Sequence, residues 1–315
     1  MLTNPKGRDM KQSKFDLFIK STNVRNINLS ARILNIVFRI GEIIYPKGVA
    51  DFVRKKFFTP VTKPLTKAQE EWISKASPYK IRSRNKFLQV WKVGNGPSIM
   101  FMHGWNGRGV QFHRFFQPVL DAGYSVLFFD APAHGLSEGE MTNYIEISES
   151  LDCIFNHEVG KDVVGVIAHS LGASAIINYM SRHQSDIPLV LIAAALQLME
   201  LLFANFQMHG VPRRTYLKLL EEVELEFDVP LDTQNPIDLI LGIKNDILII
   251  HDSEDKTTPI SPAKAIAHQL ENIEILETEG LGHSRLLNQK SVIVRSLDFL
   301  IRCQKSKRVV PAILS

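Results

Sequence analysis

Ser170 is the first residue whose setting suggests chemistry. An apolar, β-branched run from Val163 to Ala168 leads into His169-Ser170-Leu171, and the small residues Gly172, Ala173, Ser174 and Ala175 follow. That order reads as a strand, a sharp turn and a helix, with the serine at the turn. Ala168-His169-Ser170-Leu171-Gly172 has the form of a nucleophile elbow, G-x-S-x-G, with alanine at the first glycine position. Such a turn pushes the hydroxyl out above a sheet, and the positions two before and two after must be small because neighbouring backbone passes close to them. A serine hydroxyl is a weak nucleophile near neutral pH. The chemistry therefore needs a base, and a carboxylate to orient that base.

In open α/β sheets ligands bind beyond the carboxyl ends of the strands, so polar clusters at predicted strand ends carry the most information. His103-Gly104-Trp105 follows the apolar run Ile99–Met102, and Asp130-Ala131-Pro132-Ala133-His134-Gly135 follows Val126–Phe129. His251-Asp252-Ser253-Glu254-Asp255 follows Ile247–Ile250, and Gly280-Leu281-Gly282-His283 comes after the last predicted strand. Asp252, Glu254 and Asp255 compete as the acid. The glycines around His283 and its place beyond a strand set it apart from a packed or surface histidine. A serine, then an acid, then a histidine is the chain order of elbow-type hydrolases. One donor for an oxyanion is the backbone N–H of Leu171, directly after the serine at a helix N-terminus, where the helix dipole also favours an anion.

The elements that must position these residues alternate. Strands are predicted over 87–93, 98–102, 124–129, 163–168, 189–194, 247–250 and 273–276. Helices are predicted over 110–122, 144–155, 170–182, 262–270 and 292–303. Strands alternating with helices imply βαβ units and a mainly parallel sheet. Residues 195–243 interrupt the alternation with two helical stretches, near 198–206 and 215–227, and a loop of that length inside a compact sheet is implausible. A small helical cap accounts for it. The expected organisation is a basic helical extension and linker over 1–85, a catalytic α/β domain over 86–303 with the cap inserted at 195–243, and a tail over 304–315.

With its motifs in place, the chain from about 86 to 303 resembles the α/β-hydrolase fold superfamily. More narrowly it resembles bacterial serine hydrolases of poorly defined substrate that share His-Gly-Trp, Asp-Ala-Pro-Ala-His-Gly and Gly-Leu-Gly-His stretches. The resemblance implies Ser170 as nucleophile, His283 as base and the Trp105 backbone N–H as second oxyanion donor. Aligned on His251, with Pro259 downstream, it also implies Asp255 as the acid, while Asp252 stands where glycine is usual. His103, His134, His169 and His251 are then strand-end scaffolding, and Asp130 ties the loop around Pro132 and Gly135. The Trp105 ring has two readings, a pocket wall or part of the core. The implied activity is cleavage of a carboxylic ester or thioester through an acyl-enzyme, without metal or organic cofactor. The competing reading is a non-catalytic receptor or interaction module on the same fold. A dehalogenase or epoxide hydrolase would carry aspartate at the elbow. Leu201, Leu202, Phe203, Phe206 and Met208 in the cap suggest an apolar substrate group, and packing of the cap is their alternative use.

Composition adds bounds. A chain of 315 residues with 45% hydrophobic and 22% charged residues is ordinary for a protein with a sizeable core. Cys153 and Cys303 are the only cysteines, which argues against a disulfide framework or zinc site and for a reducing, cytoplasmic setting. The start, MLTNPKGRDMKQSK, has no apolar core of a secretory signal. No apolar run reaches the roughly 18–20 residues of a membrane span. Net charge is +4, but residues 1–90 hold 19 Lys/Arg against 6 Asp/Glu and the rest 18 against 27. No nucleic-acid motif accompanies the basic stretch. Ile33, Val37, Ile40 and Ile44 recur as on one face of a helix, with a break expected at Pro46. A helical arm lying on the domain is the preferred reading. Peripheral contact with an anionic membrane is its rival.

Overall fold

The computed structural model describes residues 14–22 and 27–309. The first thirteen residues of the basic arm and residues 310–315 of the expected tail lie outside the described residues. The strands are β1 (Ser77–Ser83), β2 (Lys86–Val93), β3 (Ser98–Met102), β4 (Ser125–Phe129), β5 (Val163–His169), β6 (Leu189–Ile192), β7 (Ile247–Asp252) and β8 (Ile273–Thr278). The helices begin with α1 (Asp16–Ser21), α2 (Leu29–Ile44), α3 (Pro46–Phe58), α4 (Lys67–Lys75), α5 (His113–Asp121), α6 (Tyr144–Asn156) and α7 (Leu171–Arg182). They continue with α8 (Leu198–Met208), α9 (Arg213–Phe227), α10 (Pro236–Leu239), α11 (Ser261–Gln269), α12 (Gly282–Arg285) and α13 (Lys290–Val309).

All eight strands join one sheet in the order β1-β2-β4-β3-β5-β6-β7-β8. The pairs β1–β2 and β2–β4 are antiparallel, and every later pair is parallel. Strands β3, β4 and β7 are buried along their whole length, which is why they read as unbroken apolar runs instead of alternating ones. Successive side chains go to opposite faces: Leu127 and Phe129 join a core with α6, α7 and α11, whereas Val126 and Phe128 join a core with α5 and α13. The chain reverses direction across the sheet between β4 and β5, so the carboxyl ends of β3 and β5, paired through Met102 and Ala168, flank a topological switch point.

Two boundaries differ from expectation. The sheet begins at Ser77, ahead of the boundary expected at 86. Only Ile81 and Ser83 of β1 are buried, and its Pro78, Lys80 and Arg82 are edge-strand residues, so no apolar pattern marked it. At the other end α13 runs on to Val309, through the first part of the expected tail.

The chain divides into two compact units. One, residues 54–196 and 236 onward, holds the sheet. The other combines the described residues up to Val53 with 197–235, so the arm and the insertion fall in one compact unit. Charge and aromatic packing join them. Lys14 pairs with Glu224 and Asp232, Arg213 pairs with Asp16, and Phe15 meets Phe203 edge-on at 5.9 Å. Phe206 stacks on Tyr216 at 5.3 Å. Phe203 and Phe206 are therefore spent on this unit's own core, which removes them as signs of an apolar substrate. Pro46 does break the predicted helix, and it does so by starting α3, where its missing N–H costs nothing.

The aromatic cluster under the switch point gives a direct test of the core. Phe101 is fully buried and lies within 6 Å, ring to ring, of Phe112, Phe115 and Phe116. Phe101→Ala should lower stability by about 3–5 kcal/mol in urea unfolding; a loss below about 1 kcal/mol would mean the cluster is loosely packed.

Candidate active site

Ser170 sits between β5 and α7 with φ 53° and ψ −121°, a backbone region that side chains other than glycine seldom occupy. Its neighbours hold it there. The Ser170 N–H donates to the Ile192 carbonyl at 3.0 Å, and its own carbonyl accepts from Ser174 N–H at 3.2 Å. A Cβ on Gly172 would lie 2.4 Å from the His103 carbonyl oxygen, and one on Gly104 would lie 2.8 Å from Ser170 Cβ. The end of β3 thus presses against the turn after β5, and the small residues predicted there are required by contact. Ala168, fully buried, fits in the first glycine's place.

His283 reaches the serine from the loop that follows β8, an edge strand of the sheet. It lies in α12, preceded by Gly280 and Gly282 at φ 77° and 60°, conformations that glycine adopts freely. Its Nε2 is 2.9 Å from Ser170 Oγ, and its Nδ1 is 2.7 Å from Asp255 Oδ2. A carboxylate only accepts, so Nδ1 carries the proton and Nε2 presents a lone pair to the serine hydroxyl.

Asp255 is the acid brought to His283, and its side chain is fully buried. Oδ1 accepts the backbone N–H groups of Thr257 at 2.8 Å and Thr258 at 3.0 Å, while Oδ2 also accepts the Thr258 hydroxyl at 2.8 Å. Burial by itself would raise this carboxyl; the bonds from His251, His283 and Thr258 outweigh it and hold the group well below the usual carboxylate range. The rival acids are elsewhere. Glu254 is exposed. Asp252 accepts the Thr278 hydroxyl at 2.7 Å and the Leu281 N–H at 2.9 Å, so it fastens the loop that delivers His283.

Four further histidines tie strand ends together. His169 donates from Nε2 to the His283 carbonyl at 3.0 Å, which fixes its tautomer and anchors His283 through its backbone. His103 donates from Nδ1 to the Gly104 carbonyl at 2.8 Å and accepts the Ala131 N–H on Nε2 at 2.9 Å. His134 donates to the Pro132 carbonyl at 2.9 Å, and His251 donates to the Thr258 carbonyl at 2.9 Å. Asp130 accepts Gly109 and Leu136 N–H groups, both at 2.9 Å; burial pushes it up to about 6 against those bonds. The Trp105 ring is half-buried against the core and meets His134 edge-on at 5.3 Å. Leu171 opens α7, so its N–H has no intrahelical acceptor. Thr258 was missed in the sequence, although an aspartate three residues before a threonine, with proline next, signals an Asx turn.

This arrangement can take a proton from a serine hydroxyl, hold the resulting imidazolium against a carboxylate, and leave a free N–H beside the serine. Among the described residues no group of three or more His, Cys, Asp or Glu is placed to hold a metal ion. Both cysteines are free. A surface depression of about 420 Å³ between Ile81, Arg82, Asp152, Cys153, Asn156 and His157 shares no residue with the serine–histidine cluster.

Residues 97–228 match the family model described as the alpha/beta hydrolase fold. A stretch of 99 residues is 29% identical to the non-heme chloroperoxidase CPO-A1 of Kitasatospora aureofaciens, over 31% of this chain and 35% of that protein. A stretch of 180 residues is 23% identical to the uncharacterized protein YqkD of Bacillus subtilis, over 54% of this chain and 58% of that protein. The chain thus spans about a third of one curated relative and somewhat over half of the other. The Pyrococcus furiosus esterase Pf2001 superposes with a TM-score of 0.61 at 20% identity, over 78% of this chain and 98% of that one. The chain has the α/β-hydrolase fold.

The buried imidazoles make stability depend on acid. Burial lowers His103 to about 3 and His134 and His169 to about 4, from 6.5. Below pH 6.5 the unfolded chain takes up these protons while the folded chain does not. The stability is complete above pH 6.5 and is lost as pH falls towards 4, at up to about 1.4 kcal/mol per pH unit for each imidazole. Urea midpoints measured between pH 7 and 4.5 should fall steeply, and His169→Gln should make the fall shallower. An unchanged slope in that variant would show that His169 is not held neutral.

Proposed function

We propose that the protein is a serine hydrolase that cleaves a carboxylic ester or thioester through an acyl-enzyme on Ser170. The observation that carries the reading is the unbroken relay from Ser170 Oγ through His283 to Asp255, with links of 2.9 and 2.7 Å. Those lengths are what general-base activation of a hydroxyl needs. The strained elbow, the fold and the esterase among its structural neighbours support it.

In this reading His283 Nε2 takes the Ser170 proton as Oγ attacks the substrate carbonyl. Asp255 holds the ring in the productive tautomer and stabilises the imidazolium. The tetrahedral oxyanion is met by the Leu171 N–H at the start of α7, and by the Trp105 N–H in the loop that Gly104 brings against Ser170. Collapse passes the proton from His283 to the leaving alcohol or thiol. Water then attacks the acyl-serine, with His283 again as base. Thr258 and His169 touch no reacting atom; they position Asp255 and His283.

A panel of p-nitrophenyl esters and acyl thioesters of varied chain length tests the proposal. Wild type should turn over at least one of them, with Ser170→Ala lowering kcat/KM by about 10³-fold or more and Asp255→Asn by about 10²–10⁴-fold. Thr258→Val should lower kcat by about tenfold, the loss of one hydrogen bond to a charged group, with KM unchanged. Turnover that survives Ser170→Ala contradicts the proposal. So does a wild type inert to the whole panel, which would favour a binding role for the fold.

A further inference from the structure

Helix α2 leaves its most apolar face uncovered by its own unit. Its contacts with α8–α9 of the same unit come from the other side. Ala31 is its one buried residue. A Cβ on Gly210 would lie 2.3 Å from the Ala31 carbonyl oxygen, Asn35 donates to the Gly210 carbonyl at 3.1 Å, and Glu42 accepts the Thr215 hydroxyl. At 3.6 residues per turn, Ala31, Asn35 and Glu42 share one side. Ile33, Ile36, Val37, Ile40, Ile43 and Ile44 share the opposite side, within about a third of the circumference, and every one is exposed, from 52% at Ile40 to 84% at Ile43. The stripe read from the sequence is therefore not the side by which α2 packs within its own unit. Six large aliphatic side chains in one contiguous solvent-facing stripe are unusual for a soluble surface.

The charges around the stripe select its occupant. Arg32 and Arg39 lie along one border and Lys47 just beyond the helix end, all exposed. The only acid in α2, Glu42, lies on the far side in its bond with Thr215. A second copy packed antiparallel about a two-fold axis would set this face against itself with the arginines of both copies along one border. An anionic lipid surface complements both features, since aliphatic side chains enter the acyl boundary while arginines meet the headgroups. With 16 residues α2 is too short to span, and no helix among the described residues is long and apolar enough to cross a membrane.

We propose that the exposed face of α2 is an in-plane docking surface for anionic lipid membranes. Leu29 to Ile44 lies along the interface with the isoleucine stripe down, and Arg32 and Arg39 give preference for negatively charged headgroups. The inference does not depend on the chemistry at Ser170.

Vesicle co-sedimentation of the full chain tests it, with phosphatidylcholine vesicles compared against the same lipid containing about a third phosphatidylglycerol. Wild type should partition onto the anionic vesicles at least about tenfold better than onto the neutral ones. Ile36→Asp with Ile40→Asp should abolish binding to both. Arg32→Gln with Arg39→Gln should erase the preference while leaving the weak binding to neutral lipid. All four positions are exposed, and circular dichroism with a thermal melt should show unchanged folding in both variants. Wild type remaining in the supernatant with both vesicles overturns the proposal, as does undiminished binding by the Ile36→Asp, Ile40→Asp pair. A concentration-dependent dimer, seen in sedimentation velocity and lost in that pair, would assign the face to a second copy and overturn it equally.

Discussion

The site depends on one strained residue. Ser170 holds a backbone conformation that costs on the order of 1–3 kcal/mol for a residue with a side chain, and it persists because the surrounding sheet leaves no alternative. Strand β5 is fixed between β3 and β6, the Ser170 N–H is committed to Ile192, and Gly172 and Gly104 let the end of β3 close against the turn. Relaxing the serine would drive backbone into backbone. Aiming Oγ at His283 is thus a consequence of packing in the sheet, and no separate device is needed to bring the hydroxyl to the imidazole.

The second constraint is the burial of Asp255. A carboxylate taken out of water has to be compensated by donors, and here the backbone of Thr257 and Thr258, the Thr258 hydroxyl and His283 supply them. His283 is consequently one of several groups bound to a fixed acceptor. Asp252 and His169 hold the same loop from two other directions, through Leu281 N–H and the His283 carbonyl. Three strand ends, those of β5, β7 and β8, therefore converge on one imidazole.

Much of this was legible in the residues, for identifiable reasons. Ser170 and His283 announced themselves because an elbow needs small neighbours and a mobile-backbone loop needs glycines, and both leave marks within five residues. The central strands were readable because full burial demands unbroken apolar runs. Asp255 was separable from Asp252 and Glu254 only by family resemblance, since three nearby acids differ in direction and direction is set by the fold. The anchoring by Asp252 was hidden, because a carboxylate that bonds across 26 and 29 residues leaves no local pattern; Thr258 bonds Asp255 only three residues away, and its signal was present but shared with any ordinary turn. Strand β1 was hidden for the reverse reason, being a charged edge with little to bury. The union of the arm with the insertion was hidden as well, for it rests on Phe15 with Phe203 and Asp16 with Arg213, nearly 200 residues apart. Helix α2 was read with the right period. Periodicity reports a stripe and says nothing about what covers it.

The claim on which the account turns is that the Ser170 hydroxyl is activated as a nucleophile. Treating the folded protein with a fluorophosphonate and mapping the adduct by peptide mass spectrometry measures this without any knowledge of the substrate. One adduct per chain is expected, on the peptide containing Ser170, formed by the folded protein and absent after denaturation. Absence of labelling in the folded protein, or an adduct on a different serine, would contradict it.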